Sequence, residues 1–173
     1  MAPTSETVLH ELFSAREIHK SAVRAPEVLV EAPQYGSAFS RGTRIGIGNL
    51  VVLLISGTAS VDENGATVHV GDFRAQTRRT FQNISALLAS EGATWKDVVR
   101  TTCYLRDIER DYVAFNEERT RFYEEQGLDP LPASTGVQAI LCRPELLVEI
   151  EAIAVLLQDA SADRRYTMET EQR

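Results

Sequence analysis

The sequence predicts an α+β fold, one mixed sheet with two main helices on one of its faces. Three observations carry this expectation. Strand-like and helix-like segments are interspersed in the order β-β-β-α-β-α-β-β. The run Leu50-Val51-Val52-Leu53-Leu54-Ile55-Ser56 is apolar on both faces, as a strand covered from both sides is. Two later stretches place their apolar residues at helical spacing.

Residues 5–24 read as an amphipathic helix, because Val8, Leu12 and Ala15 recur at helical spacing beside Leu9 and Phe13. Residues 25–33 hold Pro26 and Pro33 and read as an extended connector. Residues 44–49 and 50–56 form a β-hairpin around Gly48-Asn49. Asp62-Glu63-Asn64-Gly65 is a polar turn, and residues 67–70 are a short third strand. Residues 73–91 are a helix with Phe73, Thr77, Phe81, Ile84 and Leu88 along one stripe. The Asp72 carboxylate can accept from free amides of its first turn, and Gly92 stops it. Residues 98–106 are β-branched and read as a strand. The alternating charges of residues 106–111 read as a solvated loop. Residues 110–126 form the second helix, with Tyr112, Phe115, Arg119 and Phe122 on one side and Gly127 past its end. Asp129-Pro130-Leu131-Pro132 is a rigid loop. Residues 135–142 and 146–156 are two further strands, separated by a turn at Arg143-Pro144. The chain thus divides into a helical extension (1–34), a main domain (35–157) and a polar tail (158–173). Strand faces that no helix covers are still apolar, which predicts contact with other copies of the chain.

Composition narrows the function. The chain has 173 residues and one domain's worth of core. Lys+Arg is 18 and Asp+Glu is 25, a net charge of −7, which disfavours nucleic acid and anionic membrane as partners. No signal-peptide core is present, and the longest apolar run, residues 50–55, is far short of a membrane span, so a cytoplasmic location is expected. Cys103 and Cys142 lie in apolar surroundings and read as two buried free thiols. Gly46-Ile47-Gly48 lacks the third glycine and the following helix of a dinucleotide site. His10, His19 and His69 have no metal-ligand spacing, so neither a metal nor a cofactor is expected.

One pattern stands out. Glu149 and Glu151 lie two apart within the strand Leu146-Leu147-Val148-Glu149-Ile150-Glu151-Ala152-Ile153-Ala154-Val155, so both point to one face. Burial and mutual repulsion would raise at least one pKa, which suits proton transfer near neutral pH. A solvated edge strand, or salt bridges across a subunit interface, would account for the same pair.

Several short motifs, in order, resemble the YjgF/RidA (Rid) family. They are Ile55-Ser56-Gly57, Asp72…Gln76…Asn83-Ile84, Gly92-Ala93, Asp97-Val98-Val99, Thr101-Thr102, Phe115-Asn116, Pro132-Ala133 and Glu149-Ile150-Glu151-Ala152-Ile153-Ala154. The resemblance covers about residues 35–156. It implies a chorismate-mutase-like fold and a homotrimer, with the sheets packed around a central barrel and small-molecule clefts between subunits. RidA-type members deaminate reactive enamines and imines, using an arginine for the substrate carboxylate and a glutamate that orders water. The resemblance places the glutamate at Glu149 and lines the cleft with Tyr35, Ser56, Asn116 and Gly136. The arginine should follow Pro132-Ala133, and Ser134 stands there, at the family's spacing from Glu149. A serine hydroxyl does not replace a bidentate guanidinium. Arg119 and Arg143 are the candidates for a cation from another direction, and a surface ion pair is the plain alternative for each.

Ser56-Gly57-Thr58-Ala59-Ser60, His69-Val70-Gly71-Asp72 and Cys142-Arg143…Leu146-Leu147-Val148-Glu149-Ile150-Glu151 also resemble the Rid-like domain of chorismatases. Those enzymes hydrolyse an enol ether with a glutamate as proton donor. The resemblances together imply a hydrolase of a small enamine, imine or enol ether, with a non-catalytic small-molecule-binding trimer as the competitor. RNA cleavage, attached to older names in the family, runs against the net charge.

Overall fold

The computed structural model describes residues 18–158. Six strands form one sheet in the order β1-β2-β3-β6-β4-β5. They are β1 (Ile18–Val23), β2 (Gly42–Ile47), β3 (Leu50–Ala59), β4 (Val98–Leu105), β5 (Ala133–Gln138) and β6 (Val148–Leu157). All neighbours are antiparallel except β4 and β5, whose parallel pairing needs a crossover. The helix α2 (Ile108–Glu125) supplies it, and α1 (Phe73–Ser90) lies before β4. The α+β fold with a mixed sheet and two main helices is therefore as expected.

Register and pleat decide which residues meet the helices. Val51, Leu53 and Ile55 of β3 lie opposite Leu156, Ala154 and Ala152 of β6. Together with Ile150, Cys103 and Leu105 they bury against Phe81, Ile84, Leu87, Leu88 and Phe115. The alternate residues Val52, Leu54, Ile153 and Val155 point to the other face, where no helix lies. Leu54 is 40% exposed there and Val155 37%. The predicted stripe of α1 is inward throughout, and Asp72 caps the helix by accepting from Ala75 N at 2.9 Å. A second capping carboxylate, Asp107, accepts from Arg110 N at 3.0 Å and starts α2 two residues earlier than the sequence suggests. The hairpin between β2 and β3 turns at Gly48, whose φ of 61° suits glycine.

Six expectations are corrected. Residues 18–23 are not helical. They form the edge strand β1 along β2, with Val23 in the core, because the open amides of β2 find partners there; residues 1–17 of the expected helix lie outside the described residues. The connector is not extended. Val28 N and Leu29 N both donate to Ala25 O, a 3-10 turn follows at Ala32–Tyr35, and Leu29 and Ala32 are fully buried. Residues 67–70 make only a bridge between Val61 and Thr67. Residues 106–111 are not a solvated loop. Arg106 donates to Leu146 O and Arg143 O at 2.6 and 2.5 Å, and Asp111, 5% exposed, pairs with Arg110 at 2.6 Å. Finally, Cys142 is exposed, whereas Cys103 is buried as expected. The segment of residues 139–147, expected to contain strand, leaves the sheet after Gln138 and folds under the helix-free face.

Among the described residues, no helix is long and apolar enough to cross a membrane. The polar tail lies outside the described residues beyond residue 158.

Candidate functional site

Glu149 sits on the helix-free face, in a cleft of about 650 Å³. Its neighbours are set by an irregularity in β3. Between Ile55 and Thr58 the pairing with β6 shifts, so Ser56 and Gly57 together stand where Glu151 alone faces them. This bulge brings the backbone of Gly57 against the Glu149 carboxylate. A Cβ on Gly57 would fall 2.1 Å from Glu149 Oε1. Ser56 holds the bulge by donating its hydroxyl to Ser40 O at 2.7 Å. The far wall is residues 139–147, where Leu141 and Leu146 pack on Ala59 with Tyr104 beside them.

That wall is stitched by three side chains. Arg106 holds it from β4's end, as described above. Gln76, fully buried on α1, donates to His69 O and Glu145 O and accepts from Leu147 N at 2.9 Å. Arg143 donates to Gly65 O at 2.6 Å and Thr67 Oγ1 at 3.3 Å. Arg143 lines the Glu149 cleft, but these bonds fasten its loop to the polar turn. Burial and then the nearby Glu151 charge push the Glu149 carboxyl above its usual range. Tyr104, opposite Glu149 in register, is raised too, by burial and by the Glu151 charge.

A second cluster gathers around Arg119 of α2. Its guanidinium donates to Ser134 Oγ at 3.0 Å and to Asn116 Oδ1 at 2.5 Å, and it lies 5.1 Å from the centre of the Phe115 ring. Thr101 also donates to Ser134 Oγ, at 3.1 Å. The Cys103 sulfur lies 3.8 Å from both hydroxyl oxygens. Burial raises this thiol, against the hydrogen bonds of Ser134 and Thr101. The guanidinium of α2 thus reaches the Ser134 hydroxyl of β5. Gly136, two residues along β5, shares this face. A Cβ there would lie 3.7 Å from Tyr112.

The two clusters are on opposite faces of one sheet. Ser134 pairs with Thr101, and Thr101 with Ala152. Glu149 is three positions from Ala152, an odd number, so it points the other way. The candidate residues thus separate into Glu149, Ser56 and Arg143 on one side, and Asn116, Arg119, Ser134 and Gly136 on the other. Tyr35 ends the 3-10 turn, and its side chain lies outside the described structure. Sequence reasoning missed Gly57, whose signal was the glycine after Ser56 in a strand, and Gln76 and Arg106, polar residues that hold loop backbone.

The family model for Endoribonuclease L-PSP matches residues 30–156, a span that holds every residue of both clusters. The chain is 37% identical over 103 residues to the 3-aminoacrylate deaminase RutC of Acinetobacter baylyi, covering 60% of this chain and 78% of that one. It is 33% identical over 124 residues to a RutC family protein of Pyrococcus abyssi, covering 72% and 91%. The crystal structure of a Rid-family protein, YyfA of Yersinia pestis, superposes with a TM-score of 0.65 at 27% identity, covering 80% of this chain and all of the other. A match that takes in strands β2 to β6, both helices and both clusters, at these identities, makes the chain a member of the Endoribonuclease L-PSP family, the YjgF/RidA group.

Proposed function

We propose that the chain is a Rid-family hydrolase of a small carboxylate-bearing enamine or imine, working at clefts between the subunits of a homotrimer. The observation that carries this is the separation of the two clusters. Glu149, whose carboxyl binds its proton more tightly than an ordinary one, and the Arg119–Ser134 pair stand back to back on one sheet, so one substrate can meet both only between two copies. The apolar residues left open beside Glu149 supply a surface for such packing. The relative named as a 3-aminoacrylate deaminase points to the same chemistry.

In this reading Arg119 and the Ser134 hydroxyl hold the carboxylate. The Glu149 carboxyl gives its proton to the enamine carbon, and the C=C electron pair forms the new C–H bond, leaving an iminium. Glu149, now a carboxylate, takes a proton from water as the water oxygen adds to the iminium carbon. The added hydroxyl then gives its proton to the nitrogen as the C–N bond breaks, releasing ammonia and the corresponding oxo acid. Burial and the Glu151 charge raise the affinity of Glu149 for its proton, the direction a proton donor requires.

The test is decay of an enamine generated in situ, followed with and without the purified chain. Acceleration that Glu149→Gln removes supports the reading. No acceleration across imino acids, enamines and chorismate sinks it. The competing reading, a binding trimer without turnover, is favoured by Ser134 standing where the family has arginine. It predicts ligand-induced stabilisation that Glu149→Gln leaves intact.

A further inference from the structure

Register sets a tyrosine beside the two carboxylates of the Glu149 cleft. Tyr104 of β4 pairs with Glu149 of β6, and Thr102 pairs with Glu151. Positions two apart in a strand share a face, so Tyr104, Glu149 and Glu151 stand together on the helix-free side. The Tyr104 ring packs on the cluster of Ala59, Leu141 and Leu146, so the wall of residues 139–147 fixes its direction. Its hydroxyl is a hydrogen-bond partner of Glu151, and its phenol feels the charge of both carboxylates. The other elements around Glu149 bring different groups. β3 supplies Ser56 and Gly57, which carry no charge, the wall supplies Cys142 and Arg143, and the approach to β2 supplies Arg41. Arg143 donates to Gly65 O, and Arg41 donates to Val30 O at 2.9 and 2.6 Å through two nitrogens. Both guanidiniums are thus drawn onto backbone carbonyls, while the charge next to Glu149 on its own strand is that of Glu151.

A proton shared by two neighbouring carboxylates settles on the one whose charge is less well stabilised. Glu151 has the phenol as a donor, whereas Glu149, against the β3 bulge, has burial and a like charge. We propose that Tyr104 is a positioning residue for the proton transfer: its phenol anchors the Glu151 carboxylate beside Glu149, so that the proton of the pair sits on Glu149. The inference rests on the hydrolase reading above and adds to it the device that keeps the acid loaded. Tyr104 touches neither the substrate nor the reacting carbon and acts through Glu151. Once Glu149 has given its proton to the enamine carbon, the anchored Glu151 carboxylate faces the iminium that forms and favours that cation.

The test follows the Glu149 proton directly, by NMR titration of the full chain with isotope-labelled glutamate carboxyls. Glu149→Gln identifies the signal by removing it. Glu151→Gln takes away the neighbouring charge and should lower the Glu149 midpoint by about half a pH unit or more. Tyr104→Phe keeps the ring and its packing and should move the midpoint in the same direction. In the double variant Tyr104→Phe should add nothing to Glu151→Gln, because a residue that acts through another is silent once that other is gone. Enamine decay is measured on the same proteins. Near neutral pH kcat should fall about three- to ten-fold in each variant, in step with the lost proton. KM should change by less than about two-fold, since Arg119 and Ser134 are untouched. A midpoint unmoved by Tyr104→Phe, or a further shift in the double variant, overturns the proposal. Midpoints that move as expected without any enamine turnover would keep the Tyr104–Glu151 anchor and sink the hydrolase reading. Turnover with unmoved midpoints would do the opposite.

Discussion

Gly57 and Glu149 are in such close contact that one hydrogen is all the space between them allows. A Cβ on Gly57 would sit 2.1 Å from Glu149 Oε1 and 3.0 Å from its carboxyl carbon. The β3 bulge has moved backbone to where a side chain would otherwise be, and the carboxylate lies over it. Gly57→Ala should therefore swing the carboxylate away while leaving the strand paired, since no left-handed conformation is recorded for Gly57. Expected is a fall in turnover of about ten-fold or more, because misplacing a reacting group by an ångström is expensive. Thermal melting should shift little, and a large loss of stability would place the effect on the fold instead.

Glu149 also makes stability depend on pH. Its folded pKa lies above its unfolded value, first through burial and then through the Glu151 charge. The folded state therefore binds the proton more tightly than the unfolded chain does. The associated stability is complete below the ordinary carboxylate range and is lost as pH rises through the raised folded value. Glu149→Gln, neutral at every pH, escapes this loss. Melting curves across acid and neutral pH should show the variant gaining on the wild type as pH rises. A constant difference between the two would contradict it.

The carboxylate-binding role proposed for Arg119 can be separated from that of Ser134. Arg119→Leu removes the guanidinium and should raise KM by about ten- to hundred-fold, the weight of a charge-assisted hydrogen bond. Ser134→Arg in the same chain puts a guanidinium back on β5, at the place the family resemblance leaves empty. The double variant should recover part of the loss, read in KM rather than kcat. If Arg119→Leu leaves KM unchanged, the carboxylate is held elsewhere.

The sequence announced more of the core than of the site. The stripe from Phe73 to Leu88 and the doubly apolar β3 are periodic signals, and periodicity survives into structure. Edge strand β1 was illegible because its partner is set by open amides of β2, a demand of backbone that leaves no pattern in side chains. Glu149 was visible as a charge in an apolar strand. Arg119 could be named only as a candidate, since its bond to Ser134 joins residues 15 apart on different elements. That the two clusters occupy opposite faces follows from register across three strands, which single-strand alternation does not contain.

The helix-free face joins the fold to the proposed chemistry. Leu54 and Ile153 are cross-strand partners there, with Val52 and Val155 paired beside them. Each side chain is partly exposed and none meets a helix, so a charge at Leu54 or Val155 would cost this chain's own core little. In a trimer the same charge would be buried against a neighbour without a partner. Leu54→Glu and Val155→Glu should therefore keep a cooperative melt while light scattering shows the mass falling toward that of one chain. Because the proposed mechanism needs Glu149 of one copy and Arg119 of another, turnover should fall in step with the trimer fraction. Raising protein concentration should restore both. A variant that is monomeric and fully active would show that one chain completes the site and would overturn the inter-subunit reading.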